Sequence, residues 1–188
     1  MILVDDAGWG CAVGGTLIAA YRVETGEIQV REVPVSYFQG DLFRAHAYLG
    51  ASAIAAASAV TTLRQHGESV QICSGYIHTA THRQHATWKI VKITGPFQAR
   101  IEQELKDYLH QLGFPYQGST EAYGKLFFEA IRWLKGGNPN RAGMDPERVK
   151  LAKTGWETFE IYRKHPYKRA AEMTAAFKSR RRFNSRRE

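Results

Sequence analysis

Apolar positions along the chain fall into blocks of two kinds. Residues 2–6 (Ile-Leu-Val-Asp-Asp) are a short apolar run ending in two acids, and Gly8, Gly10, Gly14 and Gly15 punctuate the stretch after it, so a strand gives way to a loop. Residues 16–23 and 28–35 resume strand-like patterns, the second alternating apolar with polar, and Glu24-Thr25-Gly26-Glu27 is a turn signal between them. Pro34 suits a strand end. These runs predict three consecutive strands, the last two a hairpin.

Asp41, a good N-cap, then opens a proline-free, alanine-rich segment predicted to be one long helix to about Gln65, stopped by Gly67. Its many small residues suit close packing on a sheet. Residues 69–77 predict a buried strand, 78–87 a short helix or loop, and 88–94 another strand. Gly95-Pro96 starts a helix to about Gln111, whose Ile101, Leu105, Tyr108, Leu109 and Leu112 share one face. Past residue 117 the pattern is helical: 121–135, a break at residues 136–140, then a helix capped by Asp145 with Pro146 at its first position, continuing past Trp156 to about Tyr162. Pro166 interrupts. A final short helix leads into an arginine-rich tail, 179–188, expected to be disordered when nothing is bound.

Three strands joined by short turns are antiparallel, and strands separated by helices are parallel through right-handed crossovers. The order therefore predicts an α/β fold with a mixed sheet flanked by helices. Three parts are expected: an α/β domain over 1–116, a basic helical extension over 117–178 packed on it, and the tail.

Charge changes this picture. The formal net charge is +8, but residues 1–116 hold 9 Lys/Arg against 10 Asp/Glu while residues 117–188 hold 17 against 8, so the whole excess is at the back. Such asymmetry points to a polyanionic partner, nucleic acid first among them. Lys153, Arg180, Arg181, Arg182, Arg186 and Arg187 are the expected phosphate contacts, reading backbone rather than sequence. Tyr162, Tyr167 and Phe183 lie among basic residues, where base stacking competes with packing of the helices. No apolar run reaches the roughly 18–20 residues of a membrane span, and the opening Met1-Ile2-Leu3-Val4 meets acids at once, unlike a secretory signal. A cytoplasmic protein with no membrane partner is expected. The two cysteines, Cys11 and Cys73, read as small buried thiols.

The element order resembles that of the ribonuclease-H-like superfamily over about residues 1–116. The opening Asp5-Asp6-Ala7-Gly8-Trp9-Gly10, followed by Gly14-Gly15, resembles the Asp-Glu-Ala-Gly-Arg-Gly opening of type 2 ribonuclease H. The chain is also similar to small prokaryotic proteins with the same opening and a Lys-Thr-Gly-Trp segment, here Lys153-Thr154-Gly155-Trp156, a likeness that brings no activity with it. The first resemblance implies a ribonuclease-H-like mixed sheet and Mg²⁺ or Mn²⁺ held by carboxylates from several elements. On it, Asp5 matches the first aspartate, Asp6 the adjacent glutamate, and Glu102 on the helix after Pro96 the last acid, with Glu104 next in line and Asp107 turned more to solvent.

Residues 42–66 contain no Asp or Glu, and Cys73-Ser74-Gly75-Tyr76 contains none either, both departures from that pattern. His78, His82 and His85 have helical i, i+4, i+7 spacing but no nearby fourth ligand, so they read as surface or phosphate-contact residues rather than a zinc site. The expectation is a metal-dependent nuclease cutting RNA, RNA–DNA hybrid or structured DNA, with Asp5, Asp6 and Glu102 both catalytic and metal-binding. The alternative is an inactive member of the fold that binds nucleic acid. A third reading is a scaffold whose tail grips an acidic surface.

Overall fold

The computed structural model describes residues 1–120 and 122–184, of which 180–184 by backbone alone. Five strands form one sheet in the order β3-β2-β1-β4-β5: β1 (Ile2–Ala7), β2 (Thr16–Arg22), β3 (Ile28–Val33), β4 (Val70–Cys73) and β5 (Lys89–Val91). The first three are antiparallel and β4 and β5 run parallel to β1. This is the predicted mixed sheet, and it is compatible with a ribonuclease-H-like fold.

Alternation along the strands gives each face its own core. Ile2, Val4, Ile18, Ala20 and Ile72 pack under α2 (Ala47–Leu63), whose Ala53, Ala56 and Ala59 are fully buried. Ala7, Leu17 and Ala19 face α4 (Pro96–Gln111) through Phe97, Ile101, Leu105 and Leu109. That second core continues without a break into α5 (Tyr123–Leu134), Ala152, Phe159 and Tyr162, so the basic third of the chain shares the α4 side. Tyr162 is buried edge-to-face on Phe127 and sits by Tyr167, a packing role rather than a stacking platform.

Three predicted helices differ in extent. The long alanine-rich helix is two: α1 (Gly40–Arg44) and α2, separated at His46, whose φ of 55° breaks the turn. The break folds Phe43 back onto Tyr48, with ring centroids 5.3 Å apart, and His46 Nδ1 meets the Tyr48 hydroxyl at 2.9 Å. Asp41 is inside α1, and Gln39 occupies the cap. Asp145 does cap its helix, accepting from the amides of Glu147 and Arg148, but α6 (Pro146–Val149) is one turn long. An extended segment and α7 (Phe159–Lys164) follow where one helix was expected. Beyond Pro166, α8 (Tyr167–Asn184) is long rather than short and carries Arg180, Arg181 and Arg182. The side chains of these three, and Arg186 and Arg187 altogether, lie outside the described residues.

No helix among the described residues is long and apolar enough to cross a membrane.

Candidate functional site

β1 pairs with β2 along its whole length, to Ala7↔Leu17, but with β4 only as far as Val4↔Ile72. Past Val4 the β4 side of β1 is open. The carboxyl ends of two parallel strands meet there, which is where open α/β sheets form their ligand crevices. A cleft of about 400 Å³ occupies this opening, lined by Asp5, Asp6, Trp9, Cys73, Glu102 and Tyr123 among others.

Strand alternation turns Asp5 to the α4 face and Asp6 to the α2 face. Because β4 has parted from β1 at this level, both still reach the opening. A carboxylate oxygen of each and a ring nitrogen of His78 lie within 4.8 Å of one another. Glu102 stands on the α4 wall of the same cleft and is not part of that compact group. Glu104 is paired with Arg100 at 2.8 Å, and Asp107 accepts from Gln103 at 2.9 Å, so neither is aimed at the cleft chemistry.

Burial and mutual repulsion shape the acids. Asp5 is nearly enclosed, and desolvation raises its carboxyl above the usual range; the Cys73 thiol, donating to it, works the other way. The Cys73 thiol is in turn pushed up to about 12 by its own burial and the neighbouring acids. Asp6 is pushed up to about 7, first by burial and then by the Asp5 charge. Two carboxylates raised together beside an open cleft make a site that a cation would relieve.

His78 was expected on a helical surface with His82 and His85, and it is not there. α3 (Thr79–Gln84) begins one residue later, and His78 ends the 3₁₀ turn Tyr76–His78 that follows β4. Its side chain is completely buried, Nε2 lies 3.6 Å from Asp6 Oδ1, and neither ring nitrogen has a hydrogen-bond partner among the described residues. Burial lowers its pKa to about 4, so the ring is neutral. His82 Nε2 meets the Cys73 carbonyl at 3.0 Å, and His85 stacks on Trp88. The one sequence signal for His78 was its place just after the parallel strand that neighbours β1.

Lys153, expected among the phosphate contacts, is wholly buried beneath the cleft loop. Its ammonium donates to the Gly8 carbonyl at 2.6 Å and to the Thr16 hydroxyl at 3.0 Å, and it lies 4.6 Å from the centre of the Phe38 ring. Desolvation brings its pKa down to about 8, with the Asp6 charge acting against that fall. The chain around it runs beside residues 12–14: Gly14 N donates to Leu151 O, Lys153 N to Ala12 O, and Val13 bridges Ala152. Gly155 N donates to Phe38 O, and a side chain at 155 would collide with the Phe43 ring. The Lys-Thr-Gly-Trp segment is therefore the clamp that holds the Asp-Asp-Ala-Gly loop. At the loop itself Gly8 has φ 89°, a left-handed conformation that favours glycine, and a Cβ there would also press on the Leu105 side chain at 2.9 Å from Cδ1.

Two aromatic side chains flank the opening. Tyr123 is 63% exposed and its ring covers Gly10. Trp9 lies between Phe38, Tyr48 and Tyr76, with centroids 5.3–6.1 Å away. The chain matches no known protein-family model and no curated protein sequence.

Proposed function

We propose that the protein is a metal-dependent phosphodiesterase acting on nucleic acid: RNA, RNA–DNA hybrid or structured DNA. The observation that carries this is the convergence of the Asp5 and Asp6 carboxylates in an open cleft at the end of the central strand. The donors suit a divalent cation, since hard ions bind carboxylate oxygen and the buried pair has charge to neutralise. A bound ion would supply an acidified water and neutralise charge building on the phosphoryl oxygens.

The chain's own residues supply the rest. Asp5 and Asp6 hold the ion. Lys153 fixes the loop that follows their strand by gathering the Gly8 carbonyl. Glu102, on the facing wall, is assigned the proton of the attacking water. Tyr123, largely exposed at the cleft mouth, offers a ring face on which an unpaired base stacks. The positive excess beyond residue 117 supplies long-range attraction for the polyanion.

Incubation of purified protein with labelled hybrid, duplex and single strands, with Mg²⁺ or Mn²⁺ or with chelator, tests the reading. Cleavage is expected only with metal. Asp5→Asn should slow it by about 10²-fold or more, because an ion-holding carboxylate supports several kcal/mol of transition-state stabilisation. The lack of any acid in α2 or at the end of β4 favours a second reading, an inactive nucleic-acid binder. Binding with no cleavage under any of these conditions would select it.

A further inference from the structure

Nothing in an all-carboxylate site explains His78. A buried imidazole with both nitrogens unpaired forfeits hydrogen bonds that native interiors nearly always provide. Asp6 Oδ1 faces Nε2 across 3.6 Å, too far for a hydrogen bond. Two donors that each sit about 2.0–2.2 Å from one ion are separated by roughly this gap. Gly75 lies against both groups: a Cβ there would be in ordinary contact with Asp6 Oδ1 at 3.4 Å and His78 Cδ2 at 3.7 Å. Cys73, the other soft donor nearby, is engaged with Asp5.

We propose that Asp5, Asp6 and His78 form one mixed oxygen–nitrogen site selective for a first-row transition-metal dication such as Mn²⁺, Co²⁺ or Zn²⁺ over Mg²⁺. The inference rests on the proposed role of the aspartate pair in holding an ion, and adds its third ligand and its class. Imidazole is a good ligand for borderline transition metals, whereas Mg²⁺ demands oxygen and near-octahedral geometry and sheds water reluctantly. Glu102, outside the compact group, is then free of the ion and available to the substrate.

Mn²⁺ binding followed by electron paramagnetic resonance tests this without any turnover. The wild-type complex should show nitrogen-14 modulation of the bound Mn²⁺ signal, the mark of direct imidazole coordination. His78→Ala should weaken Mn²⁺ binding by about tenfold or more, since even a residue that only supports a ligand is typically worth about 10–100-fold in metal affinity, and change Mg²⁺ affinity far less. Glu102→Gln should leave Mn²⁺ affinity unaltered. Because the nitrogen signal is read on the wild-type protein, a misfolded His78 variant does not decide the matter. Bound Mn²⁺ that is lost in Asp5→Asn yet shows no nitrogen coupling overturns the histidine ligand while leaving the aspartate site standing. Mg²⁺ binding as tightly as Mn²⁺ overturns the selectivity. No ion binding at all overturns both readings together.

Discussion

Asp6 is the residue at which stability and function pull apart. Its carboxyl titrates near 7 in the folded protein against an ordinary value of 3.8, so between those values the folded state holds a proton that the unfolded state has released. By linkage, stability from this group is greatest below pH 4 and is lost as pH rises to 7. His78 has the opposite slope: lowered to about 4, it takes up its proton only on unfolding between pH 4 and 6.5, so its contribution rises with pH across that window. Asp6→Asn removes the first effect and keeps the second. Metal-free Asp6→Asn should therefore melt above wild type at pH 7.5, with the advantage shrinking towards pH 4. Calorimetric scans of both proteins in chelator check this, and a variant that melts lower at pH 7.5 would refute it. On the proposed ion site, added Mn²⁺ should reverse the order, because the variant has lost one of the three proposed ligands and gains less stability from the ion.

Elements matter most where the extended segment around Lys153 meets the loop after β1. The ammonium is the shared donor for a carbonyl and a hydroxyl that have no water to turn to. Lys153→Met keeps most of the aliphatic stem and removes the donor, leaving those groups unsatisfied at about 1–3 kcal/mol each. Urea unfolding should show a loss of about 2–4 kcal/mol. The control is Lys150→Met, whose exposed pair with Glu147 at 2.6 Å is worth at most about 1 kcal/mol. Equal losses in the two variants would contradict the clamp.

The same scale shows what could be read in the chain and what could not. α4 was legible because Ile101, Leu105 and Leu109 repeat at helical spacing and Pro96 and Gly113 mark its ends. The strands were legible because turn residues bound them. The break at His46 was not: Phe43, just before it, packs against Gly155, a contact more than a hundred residues away in sequence and invisible to local pattern. Of the candidate site, Asp5 and Asp6 were marked by acids closing an apolar run. His78 was hidden by a false periodicity with His82 and His85. Lys153 was misread because a positive charge says nothing of burial until its carbonyl partners, far back in sequence, are known.

For the whole molecule, a near-neutral front is followed by a basic back. The cleft lies at the end of the sheet, and the net positive charge lies in residues 117–188. Deleting residues 179–188 removes Arg180, Arg181, Arg182, Arg186 and Arg187. Each phosphate that the shortened chain no longer neutralises should reduce the slope of log affinity against log salt by roughly 0.7–0.9. A shortened chain whose nucleic-acid affinity falls off with salt just as steeply would show that the tail does not touch phosphate. Cleavage chemistry, measured at saturating substrate, should survive the deletion, because the described lining of the cleft comes from the stretch between Asp5 and Tyr123.

The bond from Lys153 to Gly8 spans 145 residues. At translation rates of about 5–20 residues per second, the strand bearing the two aspartates and the loop after it leave the ribosome roughly 7–30 s before the lysine that fixes that loop. A nascent chain therefore displays its acids long before it can arrange them, and the finished geometry of the pair must wait until Lys153 has emerged.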